Sequence, residues 1–318
     1  MRVFIAGATG AIGRELVPLL ARRGHEVTAM SRHGAAAAAA ADRVDSVAAD
    51  GLDREAVARA VAATEPEVVV HQMTALGGDL DLRRFERTFA RTNRLRTEGT
   101  DNLIAAARDG GARRIVAQSF AGWPYAREGG PVKTEEDPLD PDPPRAVRAT
   151  VDAIRYLERA VTGAEGLEGI ALRYGGFYGS GTSLGPSGEQ TELIRGRRFP
   201  IVGDGGGIWS LIHIHDAASA TAAAIEGGDP GIYNVVDDDP APVREWLPYL
   251  ARVLGAKPPR HLPAWVGRLT AGEHGVILMT AIRGASNAKA KRELDWVLRY
   301  PSWRQGFKEL AIGADRRR

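Results

Sequence analysis

The chain has 318 residues, 44% of them hydrophobic and 26% charged, enough for one large α/β domain or for two lobes with separate cores. Net charge is only +2, and although the pI is near 9.0 the basic residues are almost all arginine and form no stripe with interleaved aromatics, so nucleic acid is excluded as an expected partner. Cysteine is absent, which excludes disulfides, thiolate nucleophiles and cysteine-bound metals, and no apolar run is long enough to cross a membrane.

The chain opens directly on a predicted strand, Val3–Ala6, with no leader-like pattern before it, so the expectation is a soluble cytoplasmic protein that does not engage a membrane. A helix is predicted over Ile12–Arg22, a second strand over His25–Met30, a surface helix in the alanine run Ala35–Ala41, a helix over Asp53–Ala63 and a third strand over Glu67–His71. A long helical stretch covers Leu82–Asp109, and Arg114–Gln118 reads as a strand. Alternating βαβ units of this kind predict a parallel sheet with helices on both faces.

Glycine and five prolines mark Arg127–Arg145 as a loop before a helix over Ala146–Val161 and a strand over Ile170–Tyr174. Beyond Phe177 the elements shorten, and the tail Arg316–Arg318 is expected to fray. The fold class is therefore α/β, a Rossmann doubly wound parallel sheet with a smaller C-terminal substrate-binding lobe. Its expected boundaries are 1–176 for the NAD(P)-binding domain, with a late return near 208–236, and 177–207 plus 237–318 for the lobe.

The glycines Gly7, Gly10 and Gly13 sit between the first strand and the first helix. In that context the first permits the tight turn, the second a close approach of pyrophosphate, and the third close packing of helix on sheet. Free N–H groups over Thr9, Ala11 and Ile12, at the positive end of the helix dipole, then hold phosphate. The second strand ends Met30-Ser31-Arg32 with no acid before Asp42, so Ser31 and Arg32 are expected to receive a 2′-phosphate, and NADP(H) is favoured over NAD(H).

These residues resemble the extended short-chain dehydrogenase/reductases, the NAD-dependent epimerase/dehydratase branch, over nearly the whole chain. By that resemblance Asp50 and Gly51 contact adenine, Gln72 and Met73 border the adenine ribose and pyrophosphate, and Tyr174, Gly175, Gly176 and Phe177 lie towards the nicotinamide. Gly99-Thr100, Arg114–Ser119, Ile212–Ala218 and Gly231–Val235 are similar to further family signatures. The helices after Leu82 and Ala146 would, by the same resemblance, form a four-helix homodimer interface.

One family element is missing. Its Tyr-x-x-x-Lys motif places both side chains on one helix face, where the ammonium lowers the phenol pKa for proton exchange. Here the residues four positions after the tyrosines are Gly129, Ala160, Tyr178, Thr182, Asp237, Val253 and Arg304, none of them lysine. Aligning Glu158–Val161 with the family's helix end places Thr150 and Ile154 at the tyrosine and lysine positions. Ser119 stands near the family serine, although a strict alignment puts Phe120 there.

The candidate stand-ins are Ser119, Thr150, Tyr125 and Tyr178, with Trp123, Phe177 and Trp209 as cleft or core residues. The run Arg148, Asp152, Arg155 and Arg159 reads as a solvated helix face. His213-x-His215-Asp216 lacks a third ligand, so no metal is expected, and Asp216 is expected to cap a helix; His71 reads as a core histidine.

The leading expectation is an NADP(H)-dependent oxidoreductase acting on a small carbonyl or alcohol, or on a conjugated C=C or C=N substrate such as an enone or iminium that needs hydride alone. An epimerase, dehydratase or isomerase using the nucleotide transiently or structurally is one alternative, and a non-catalytic NADPH sensor or partner protein another.

Overall fold

The computed structural model describes residues 1–34, 43–76 and 84–315. The expected alanine helix at 35–41, the first residues of the stretch expected from Leu82, and the tail at 316–318 lie outside them.

Strands β1 (Arg2–Ala6), β2 (Glu26–Ser31), β3 (Val44–Ala48), β4 (Val68–His71) and β5 (Arg114–Phe120) join Glu168–Tyr174 and Gly231–Val235 in one seven-stranded sheet. All its pairs are parallel, and the order runs β3-β2-β1-β4-β5, then Glu168–Tyr174, then Gly231–Val235. The order reverses between β1 and β4, so the crevice beyond their C-terminal ends is where such a sheet takes a ligand. Val68, Val69 and Val70 are wholly buried, as a strand covered on both faces requires.

Helices α1 (Ala11–Arg22) and Ile214–Glu226 cover one face. Helices α2 (Arg54–Ala62) and α4 (Glu98–Asp109), with the Leu157 end of α5 (Arg145–Thr162), cover the other; α3 (Phe85–Arg96) precedes α4 and packs on α5. A further cluster is built around Trp246, Trp303 and Phe307, with Tyr178, Ile201 and Leu211.

Three expectations change. Strand β3 is absent from the sequence reading because it lies at the sheet edge, exposes Asp45 and Ser46, and so shows no apolar run. The stretch expected as one helix to Asp109 breaks at Thr97 (φ −103°, ψ −84°), whose hydroxyl bonds back to the Asn93 and Arg94 carbonyls. Within the expected loop, Val132–Lys133 pairs with Gly284–Ala285.

Helix α5 is strongly two-sided. Val147, Val151, Ile154, Leu157 and Val161 face inward. The outer side carries the ion pairs Arg148–Asp142 and Arg155–Asp152, and neighbouring α3 adds Arg94–Glu98. The outer surface of α5 is thus charged.

One polar residue, Glu158, points from α5 into the sheet. Its carboxylate receives Arg173 Nε and Nη2, both at 2.7 Å, and both side chains are only 5% exposed. The pair clamps α5 to the strand Glu168–Tyr174. Removing one partner strands the other charge in a low dielectric, whereas removing both does not. Arg173→Leu is therefore expected to destabilise the fold by roughly 3–5 kcal/mol in urea unfolding, and the double variant Glu158→Leu/Arg173→Leu to recover most of that loss. Equal losses in single and double variants would show that the pair is not what makes the charge tolerable.

Candidate active site at the C-terminal edge of the sheet

The glycines of the first loop divide by what the protein itself asks of them. Gly7 has φ +96°, and a Cβ there would lie 2.5 Å from the Gln72 carbonyl carbon at the end of β4. A Cβ on Gly13 would lie 2.4 Å from the Ala8 carbonyl oxygen, so this glycine lets α1 sit on the loop. Gly10 is different. Its φ is −70°, and the nearest atom to a Cβ would be the Gly7 oxygen at 3.2 Å. It caps α1 without a side-chain hydrogen bond, and the first turn holds no acid. The first-turn N–H groups of Ala11 and Ile12 have no intrahelical acceptor and Thr9 is exposed beside them, an arrangement that suits an anion.

At the C-terminal end of β2, Ser31 is half-buried and Arg32 is exposed. The Asp50 carboxylate accepts Arg91 Nη2 at 2.6 Å and the Leu52 N–H at 3.1 Å. Burial pushes Asp50 upward, but Leu52, Arg91 and Arg32 outweigh it and hold the carboxyl below its ordinary value. Arg91 was not singled out by sequence reasoning; its partner lies 41 positions away. A Cβ on Gly51 would lie 2.2 Å from Met73 Sδ, so this glycine makes room for Met73.

Gln72 donates through Nε2 to the Tyr174 hydroxyl at 3.2 Å, and that hydroxyl pairs with Thr221 Oγ1 at 2.7 Å. Tyr174 is fully buried, its pKa raised by desolvation, so its phenol packs rather than meeting a ligand. Gly175 is required by the Ser210 carbonyl, 2.6 Å from a Cβ there, while half-buried Gly176 and Phe177 continue to Tyr178. His71 is the core histidine expected: Nδ1 accepts the Met73 N–H at 3.2 Å and Nε2 bonds the Leu95 carbonyl at 3.1 Å. Burial lowers its pKa to about 4, so the ring is neutral.

None of the four expected catalytic side chains offers an activated, accessible proton. Ser119, 1% exposed, donates to Glu158 Oε1 at 2.6 Å. Tyr125 is fully buried, receives Arg173 Nη1 at 3.0 Å, and donates to Asn234 Oδ1 at 2.6 Å. Desolvation pushes Tyr125 up to about 12 against the opposing pull of Arg173, the reverse of activation. Tyr178 is fully buried and raised further, by desolvation and then Asp237 and Asp216. Thr150, 1% exposed, accepts Asn93 Nδ2 at 3.0 Å, and Ile154 is wholly buried.

Arg96 was also missed. It ends α3 5% exposed, with Nη1 unpartnered, and burial lowers its pKa to about 10 against the pull of Glu158. Trp209 belongs to the core, donating Nε1 to the Leu278 carbonyl at 2.8 Å and packing on Trp246. Asp216 does not cap the helix after it. His213 takes that place, its Nδ1 accepting the His215 N–H at 3.1 Å, while Asp216 accepts the Arg299 and Tyr300 N–H groups at 2.9 and 2.8 Å. Among the described residues no three acids or histidines converge as metal ligands.

Comparison with known proteins agrees with this fold. The model of the NAD dependent epimerase/dehydratase family matches residues 3–235. A 3-diazoavenalumate denitrifying reductase from Streptomyces sp is 48% identical over 312 residues, covering 96% of this chain and 99% of the relative. Among solved structures, UDP-glucose 4-epimerase of Thermus thermophilus in complex with NAD superposes with a TM-score of 0.72 at 25% identity, over 99% of both chains. A human epimerase family protein with NADPH superposes with a TM-score of 0.74 at 21% identity, over 98% of this chain and 99% of that one.

A nicotinamide dinucleotide at this loop separates the glycines experimentally. Gly10→Ala should keep the melting temperature within about 2 °C yet weaken NADPH binding by tenfold or more in calorimetric titration. Gly13→Ala should lower the melting temperature by more than about 4 °C, because α1 must shift off the loop. Nucleotide affinity untouched by Gly10→Ala would remove the pyrophosphate from this helix end.

Proposed function

The chain belongs to the NAD dependent epimerase/dehydratase family, an enzyme family, and from that membership we propose that it is an NADPH-dependent reductase whose substrate takes hydride without needing a proton from the protein. The observation that carries this reading is the state of α5: the tyrosine and lysine positions hold Thr150 and Ile154, both buried, one hydrogen-bonded to Asn93 and the other in an apolar cluster. General acid–base help is worth roughly 10²–10⁴ in rate, so a site lacking it suits an acceptor that is electrophilic from the start.

The relative named a denitrifying reductase points to the substrate class, a diazonium ion. Bound at the α1 loop, a reduced nicotinamide would supply hydride; an arenediazonium accepting it at the carbon bearing N₂⁺ would lose N₂ with the electrons of the C–N bond, and no proton would be consumed. The protein's part is to bind and orient. The N-terminus of α1 holds pyrophosphate, and the Glu158–Arg173 pair fixes Ser119 and the end of β5. Arg32, exposed at the end of β2, receives the 2′-phosphate.

Two measurements test this. Wild-type protein with NADPH deuterated at C4 and an arenediazonium salt should release N₂, consume one equivalent of NADPH and place deuterium on the ring carbon. The single-turnover rate should be flat from about pH 6 to about pH 9, because His71 near 4 and Tyr125 near 12 both lie outside that window and do not titrate within it. A limb rising or falling through neutral pH, or turnover on ketones only, would overturn the proton-free reading. Separately, Arg32→Ala should weaken NADPH by tenfold or more and leave NADH within about twofold; equal losses would sink the 2′-phosphate assignment.

A further inference from the structure

Beside the expected serine position lies a cluster of rings that neither the cofactor loop nor the α5 positions use. Phe120 ends β5 where the strict alignment places the family serine, and Trp123 follows it at 5.9 Å between ring centroids. From α3, Phe85 meets Trp123 edge-on at 5.8 Å, and Phe89 stacks on Phe85 at 4.1 Å. His274 closes the cluster from the helix Ala264–Thr280, two residues after Gly272 interrupts that helix at φ +75°. Its ring stands edge-to-face against both Phe85 (4.9 Å) and Trp123 (5.1 Å).

His274 is 3% exposed, and among the described residues neither Nδ1 nor Nε2 has a hydrogen-bond partner. Buried polar atoms are nearly always paired, because leaving them unpaired forfeits the water they gave up. Burial, with Arg127 nearby, lowers His274 to about 4, so the ring is neutral: one nitrogen donates and the other accepts. A phenyl ring at this position would pack as well without that loss.

We propose that this cluster is the subsite for an aromatic substrate ring bearing a hydroxyl, with the faces of Trp123 and Phe120 receiving the ring and His274 hydrogen-bonding the phenolic group. The inference rests on the reductase reading only in taking that ring to be the substrate's. Phe120, Trp123 and Phe89 are half-buried, whereas Phe85 and His274 are sealed. A ligand therefore reaches the imidazole by moving Trp123, the ring with solvent to move into. An aromatic ring over Trp123 stacks or meets it edge-on, and a phenol both donates and accepts, as the neutral imidazole does.

The test needs no turnover. Phenol, toluene and cyclohexanol are titrated against the NADP⁺-loaded protein, followed by tryptophan fluorescence and by saturation-transfer NMR. Phenol should bind at least tenfold more tightly than either analogue, with the fluorescence change lost in Trp123→Phe. His274→Phe should bring phenol to the level of toluene while melting no lower than wild type, since it removes an unpaired buried group; His274→Gln should retain part of the preference. Phenol binding no better than toluene, an unchanged preference in His274→Phe, or a lowered melting temperature in that variant would each overturn the subsite. Phenol binding that persists while diazonium turnover fails would overturn the reaction assignment and leave the subsite standing.

Discussion

The site is organised around one buried charge pair. Glu158 is the one charged residue on the buried side of α5, and a lone carboxylate there would be expelled or protonated. Arg173 answers it with two hydrogen bonds and spends its remaining nitrogen on Tyr125. The chain continues from Tyr125 to Asn234 Oδ1, and the Asn234 N–H donates to Glu135 at 2.7 Å. Ser119 completes it from the other side. One network thus ties α5, β5 and the two last strands of the sheet together. Its cost in mobility is that the two hydroxyls nearest the end of β5 serve the fold. A side chain that donates into a buried carboxylate, as Ser119 does, is not free to exchange protons with a substrate.

Much of the framework was legible in the sequence because it is dictated locally. Apolar runs bounded by turns give the buried strands, and the glycines give the turn from β1 into α1. What was not legible depends on partners distant in the chain. Strand β3 carries polar residues and owes its existence to pairing with β2. The fate of the tyrosines is the sharper case. A tyrosine suits a core as well as a cleft, and only the fold shows that Tyr125 meets Arg173 forty-eight positions away or that Tyr178 is sealed beside Asp237. The missing lysine could be read as an absence, but not what filled its place; Ile154 joins the cluster against which Phe120 and Trp123 pack.

Gly10 and Gly13 mark the same boundary between what the fold needs and what a ligand needs. Gly13 is explained by a backbone contact inside the protein, and any side chain there strains the fold. Gly10 would place a methyl 3.2 Å from the Gly7 carbonyl oxygen, tight but short of the overlap at Gly13, so the fold by itself asks far less of it. A position that the protein leaves open without internal reason is where the ligand's own volume has to be counted. His274 is the polar form of the same argument, a group whose surroundings inside the chain do not account for it.

Replacing a proton-transfer patch by apolar rings changes which substrates a hydride site can serve. A ketone becomes an alkoxide on reduction and needs an acid at once, which a low-dielectric wall cannot supply. A cation becomes neutral instead. Aromatic faces attract it before transfer, through the ring quadrupole, and hold its neutral product less strongly afterwards. On the proposed reaction the departing N₂ carries away the positive centre, so Phe120 and Trp123 at the end of β5 would favour the charged substrate over the spent one. On that reading the buried Thr150 and Ile154 are not a damaged version of a dehydrogenase pair but part of the packing behind a wall suited to an electrophile that arrives already activated.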